Sequence, residues 1–240
     1  MLRADGKSLA LSLRNIYETL AISVPTVADA LRGQIPKEKS NRRLAKWARA
    51  VVSNARIELQ VEGREHLRPE ATYLVMSNHQ SLYDIPVLFE VIGANLRMIA
   101  KTELFHVPIF GNALAAGGFI AIDRHNRRTA IRSLERAKGV LATGTHVWIA
   151  PEGTRSRTGA LLPFKKGAFY LAFEAGLPIL PVTLRGTRDA LPARGVRSAA
   201  GAHVVVTLHP SIDPRPFAAR GKAGRDQLMD EVRRAIESAP

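Results

Sequence analysis

Short apolar runs and alternations recur along most of this chain, separated by longer stretches whose apolar residues repeat every three or four positions. The runs at 57–61, 72–76, 96–100, 118–122, 146–150, 179–184 and 204–208 predict strands. The stretches 85–92, 129–143 and 167–175 predict helices, and Leu228, Val232 and Ile236 mark one more near the end. Such alternation predicts an α/β fold: a mixed, partly parallel sheet flanked by helices. Two further helices are expected before the first strand. Leu9, Leu13, Ile16, Leu20 and Val24 fall at helical spacing, with Pro25 interrupting. After a linker at 33–39, a helix over 40–55 carries the stripe Leu44, Trp47, Val51 and Ala55. Residues 185–202 read as a basic loop.

Composition refines this picture. With 240 residues, 46% of them hydrophobic, the chain can bury one α/β domain (56–240) behind an amphipathic helical segment (1–55) expected to associate with a membrane. Lys and Arg exceed Asp and Glu by enough to give a net charge of +14, which predicts an anionic partner. The 40–55 helix displays Arg42, Arg43, Lys46 and Arg49 beside its apolar stripe. Two readings fit: a helix in the headgroup region of a bilayer, or one packed on the domain with a solvated basic face. Aromatic content is only 6%, and zinc-finger spacing and RNA-recognition signatures are missing, so a nucleic-acid partner is not expected. Cysteine is absent, which excludes disulfides, thiolate metal sites and a cysteine nucleophile. Residues 104–122 lack Asp, Glu, Lys and Arg, but Pro108, Gly111, Gly117 and Gly118 break the run into a buried helix, a turn and a strand rather than a membrane span. The first 22 residues carry Arg3, Asp5, Lys7, Arg14 and Glu18 and do not read as a secretory signal.

Four stretches at expected strand ends carry candidate chemistry, as is common in α/β folds. In Asn78-His79-Gln80-Ser81-Leu82-Tyr83-Asp84, a five-residue step on an ideal helix would rotate His79 about 140° away from Asp84. The two can meet if His79 sits in the turn and Asp84 in the first helical turn, with Ser81 as a plausible N-cap. A carboxylate on one imidazole nitrogen would fix the tautomer and leave the other nitrogen to deprotonate a hydroxyl. Lys101, at the head of Lys101-Thr102-Glu103-Leu104, can steady an oxyanion or hold a phosphate, or simply cap a strand in solvent. In Pro151-Glu152-Gly153-Thr154-Arg155-Ser156, Gly153 permits close backbone approach, Thr154 and Ser156 offer hydroxyls, and Arg155 can grip a phosphate. The strand within 177–184, flanked by prolines, reads as structural. The remaining histidines form no ligand cluster, so no metal is expected.

Together, in this order and spacing, the four stretches resemble the 1-acylglycerol-3-phosphate (lysophosphatidic acid) acyltransferases over roughly 61–184. The resemblance implies that His79 and Asp84 are the catalytic pair and that Lys101 belongs to a block ending in Ile122-Asp123-Arg124. It also implies that Glu152, Gly153, Thr154 and Arg155 serve the glycerol-phosphate headgroup, with Arg124 assisting. Ala150 stands where that family usually has phenylalanine. The implied reaction moves an acyl group from acyl-CoA or acyl carrier protein to a lysophospholipid hydroxyl, with no cofactor beyond the donor, at the cytoplasmic face of the inner membrane. A different lyso-lipid acceptor, such as a lyso-ornithine lipid or a glycolipid, is the alternative.

Overall fold

Strands that are apolar on both faces need cover on both sides, and the fold supplies it. The computed structural model describes residues 7–33, 35–123 and 127–239. In chain order, β1 (Lys7–Ser8) leads into α1 (Leu9–Leu31) and α2 (Lys37–Asn54). Then come β2 (Glu58–Glu62), β3 (Leu74–Ser77), α3 (Asp84–Ile92), β4 (Leu96–Lys101), the short α4 (Thr102–Phe105) and α5 (Phe110–Ala116). Next are β5 (Ile120–Ile122), α6 (Arg127–Ala142), β6 (His146–Ile149), α7 (Gly167–Ala175) and β7 (Ile179–Arg185). The chain finishes with α8 (Thr187–Ala190), β8 (Ser198–Ala199), β9 (His203–Leu208), α9 (Arg215–Ala218) and α10 (Gly221–Glu237).

All the strands expected from the sequence join one sheet, in the order β2-β9-β7-β3-β6-β4-β5. The five from β7 to β5 run parallel, while β9 is antiparallel to β7 and β2 follows β9. Successive residues of a strand point to opposite faces. Tyr73, Val75, Met98, Trp148, Leu180 and Val182 accordingly pack under α2 and α3. Leu74, Met76, Ile99, Val147 and Ile149 pack against α6, α7 and α10 on the other side. The result is three layers, with the carboxyl ends of β7, β3, β6, β4 and β5 along one rim. The region expected to be loop-rich, 185–202, contains α8 and the two-residue β8, which pairs with β1.

The two N-terminal helices differ in what they bury. In α2, Leu44, Ala48 and Val51 belong to the core under α3, so the apolar stripe of the 40–55 helix packs on the domain. The first helix is inverted. Its polar seam faces the protein: Ser12 accepts from the Ser198 amide at 2.8 Å, Asn15 donates to the Tyr83 hydroxyl at 2.7 Å, and Thr19 accepts from the Trp47 indole at 3.1 Å. Farther along, Arg43 reaches Thr26, and both Arg43 and Lys39 bind Asp29 at 2.6 Å. The hydrogen bonds from those two cations hold the Asp29 carboxyl below its ordinary range. The apolar stripe points outward instead, with Leu13 56% and Tyr17 66% exposed and Leu9, Ile16, Leu20 and Val24 similar. The helix continues past Pro25 rather than stopping there. Arg97, at the start of β4, is buried, and its guanidinium donates to carbonyls of Ala94, Leu96 and Gly117 and to Ser40 and Asn41, tying α2 and the end of α5 to the sheet. Burial lowers its pKa to about 10. Among the described residues no helix is long and apolar enough to cross a membrane.

Candidate active site

The turn after β3 is built by side chains that imitate backbone. Where the ladder between β3 and β7 ends, the Asn78 carboxamide continues it, donating to Leu184 O and accepting from Leu184 N, each at 2.8 Å. Gln80 donates to the same carbonyl at 2.6 Å. The chain then enters α3 with Asp84 as its first residue. Ser81 accepts from the Tyr83 amide at 3.1 Å and donates to Leu191 O at 2.7 Å, so it bridges the turn to a distant loop rather than capping the helix at the usual position.

His79 stands outside the helix and Asp84 at its start, which removes the angular mismatch of an ideal helix. His79 Nδ1 lies 2.7 Å from Asp84 Oδ2. An ionised carboxylate only accepts, so Nδ1 carries the proton and Nε2 presents a lone pair. Asp84 is fully buried, while His79 retains 16% side-chain exposure, enough for contact with a small group. The imidazole sits edge-on to Trp148, centroids 5.3 Å apart, and that indole is anchored by donating to Ser77 Oγ at 2.9 Å.

The turn after β6 holds the backbone of His79 from the neighbouring strand. Glu152 Oε1 accepts from His79 N at 2.7 Å, and Ser156 N donates to His79 O at 2.7 Å. The second Glu152 oxygen accepts from Leu162 N at 2.8 Å. The sequence pointed Glu152 at a headgroup, whereas its carboxylate is turned inward and buried, occupied by two backbone amides. Burial pushes its pKa up, and those amides pull part of the way back. Gly153 has φ of +74°, a left-handed conformation that lets the chain turn outward at once. Beyond it Thr154 is exposed and Arg155 half-buried, and neither side chain makes a hydrogen bond or ion pair among the described residues.

Lys101 is exposed at the end of β4, two strands from β3 and so about 10 Å across the rim at ordinary strand spacing. Arg124 lies outside the described residues. Apolar side chains of Leu82, Leu104, Val107 and Ile109 are exposed in the segments that follow β3 and β4. A cavity of about 390 Å³ lies on the β7 side, bordered by Asn78, Gln80, Arg185 and Arg188. His79 is not among its lining residues.

A residue outside all four motifs also reaches the pair. Thr187, first in α8, donates its hydroxyl to Asp84 Oδ1. No local signal marks it, because its partner lies 103 positions away in the chain.

An acid–base pair with a basic side chain on the adjoining turn, free of hydrogen bonds among the described residues, suits proton removal from an alcohol beside an anion. The family model described as Acyltransferase matches residues 58–185, more than half of the chain. A 1-acyl-sn-glycerol-3-phosphate acyltransferase of Chlamydomonas reinhardtii is 34% identical over 183 residues, covering 76% of this chain and 53% of that one. The human 1-acyl-sn-glycerol-3-phosphate acyltransferase alpha is 38% identical over 155 residues, covering 64% and 55%. The chain thus spans about half the length of the curated relatives it matches. The crystal structure of the 1-acyl-sn-glycerophosphate (LPA) acyltransferase PlsC from Thermotoga maritima superposes with a TM-score of 0.75 at 26% identity, covering 96% of this chain and 95% of that one. With the matched family region spanning β2 to β7 and containing His79, Asp84 and the Glu152 turn, the chain belongs to the acyltransferase family.

Proposed function

We propose that this chain transfers a fatty acyl group from acyl-CoA or acyl carrier protein to the free hydroxyl of 1-acylglycerol-3-phosphate, giving phosphatidic acid. The observation that carries the reading is the 2.7 Å contact between His79 Nδ1 and Asp84, with Nε2 presented at the carboxyl rim of the sheet. In the reaction His79 Nε2 takes the hydroxyl proton as that oxygen attacks the thioester carbonyl. The tetrahedral oxyanion collapses, the carbon–sulfur bond breaks, and the leaving thiolate takes the proton back from the imidazolium. Asp84 orients the ring and balances its transient charge. Transfer is direct, since the chain has neither cysteine nor a Gly-x-Ser-x-Gly elbow for an acyl-enzyme.

Lys101 or backbone amides of the rim steady the oxyanion. Arg155 with Thr154, helped by Arg124, holds the acceptor phosphate, while Gly153 lets the backbone come close. The outward apolar stripe of α1 and the net charge of +14 support a position on an anionic phospholipid surface, which this reading puts at the cytoplasmic face of the inner membrane. No cofactor beyond the donor and no nucleic-acid partner are part of this reading.

The test is an assay of the purified chain with lysophosphatidic acid, lyso-ornithine lipid and lyso-glycolipid acceptors against acyl-CoA and acyl carrier protein donors, with products identified by mass. General-base assistance is worth about 10²–10⁴-fold in rate. His79→Ala should lose that much turnover with its melting temperature unchanged; near-normal transfer by this variant would sink the mechanism.

A further inference from the structure

The carboxylate of Asp84 is surrounded by four donors, divided unequally between its two oxygens. Oδ2 accepts from His79 Nδ1, from Gln80 N at 2.7 Å and from Ser81 N at 2.9 Å. Oδ1 is met by the hydroxyl of Thr187, a residue 103 positions away. We propose that Thr187 is a positioning residue for acyl transfer: its hydroxyl fixes the rotation of the Asp84 carboxylate and thereby the orientation and tautomer of His79. This rests on the general-base reading above.

Three donors crowd one oxygen, and the final torsion of an aspartate is intrinsically broad and two-fold. With nothing on Oδ1, small rotations or an exchange of the two oxygens would carry the acceptor out of the imidazole plane. A donor on the opposite oxygen closes that freedom. Thr187 suits the task because its β-branched side chain has few χ1 states and because it is fully buried, so water does not compete for the hydroxyl.

The backbone is shaped to deliver this group. Gly186 has φ of +80°, and a Cβ there would fall 1.9 Å from His203 O on β9, so only glycine lets the chain leave β7 this close to its neighbour. Thr187 follows at once. The same segment binds the catalytic turn a second time, where Ser81 donates to Leu191 O at 2.7 Å. Two contacts, one on each side of α8, therefore hold the turn between His79 and Asp84 against the end of β7.

Thr187→Val keeps the shape and removes the donor. A hydrogen bond to a charged group is commonly worth enough that its loss lowers the rate by about 10- to 100-fold. The expected result is that loss in kcat with KM for both substrates unchanged, and recovery of most of the rate in Thr187→Ser. A second readout needs no substrate: in a nitrogen-15 labelled protein, the proton on His79 Nδ1 should give a resolved low-field resonance in the wild type and in Thr187→Ser. That resonance should broaden or vanish in Thr187→Val. Should Thr187→Val not fold, Thr187→Ala and Thr187→Ser carry the comparison, and equal rates and equal resonances in those two overturn the proposal. So does a folded Thr187→Val with wild-type kcat and an unaltered resonance. If the wild type transfers no acyl group at all, the functional reading fails by itself, and the resonance still decides the role of Thr187.

Discussion

An imidazole that must hold one nitrogen and offer the other cannot ride on a drifting backbone, and Glu152 is what prevents drift at His79. Its two oxygens accept backbone amides from His79 and Leu162, so a charge is kept in a buried place where it is intrinsically unfavourable. Because burial raises its pKa, the folded chain holds the Glu152 proton more tightly than the unfolded chain does. The stability this contributes is present at acid pH and is lost as pH rises through the raised value. Glu152→Gln should remove that dependence. It also sets an amide donor against a backbone donor, which should cost about 1–3 kcal/mol, measurable by denaturant unfolding across a pH series. At this scale the sequence made His79 and Asp84 legible, because two groups five positions apart at a strand end can be weighed by local geometry. The inward turn of the Glu152 carboxylate was not legible, because the burial of that turn follows only from the fold. Thr187 was unreadable because its partner is brought near only by the pairing of β3 with β7.

Among the elements, the strands were the most legible part of the fold, since their apolar runs needed no knowledge of neighbours. The expected run 57–61 begins one residue before β2, a shift that changes nothing in the pairing. Helical stripes were less informative. Period alone reveals a stripe in both α1 and α2, but not which medium covers it, and the two helices resolve that oppositely. Pro25 misled in the same way: contacts of Ser12, Asn15, Thr19, Thr26 and Asp29 hold α1 along its length, and local preference yields to them. The contrast can be measured. Leu44→Ala in α2 should destabilise the protein by about 2–5 kcal/mol, as a core truncation does. Replacing Leu13, Ile16 and Leu20 together by serine should leave the unfolding midpoint nearly unchanged while abolishing co-sedimentation with anionic phospholipid vesicles. Retained sedimentation in that triple variant would remove α1 from the membrane-binding account.

For the molecule as a whole, five parallel strands bring four separately encoded turns to one rim, and two apolar layers hold that arrangement rigid. Stability of the assembly should carry an acid-side limit set by buried imidazoles. His146 accepts the Tyr73 amide on Nδ1 at 3.1 Å, and burial, aided by the positive charge of Lys37, lowers its pKa. The unfolded chain therefore binds more protons as pH falls past about 6.5, and stability is lost in that direction. His146→Asn, whose side-chain oxygen can take the same amide without titrating, should flatten the fall in melting temperature between about pH 7 and pH 5.5. The inverted seam of α1 has one more implication. Turning this rod about its long axis to hide its leucines would tear away the contacts to Tyr83, Ser198 and Trp47 together. With that seam fixed, the leucines of α1 stay turned to the outside. A purification without lipid or detergent must contend with that oily flank from the first step.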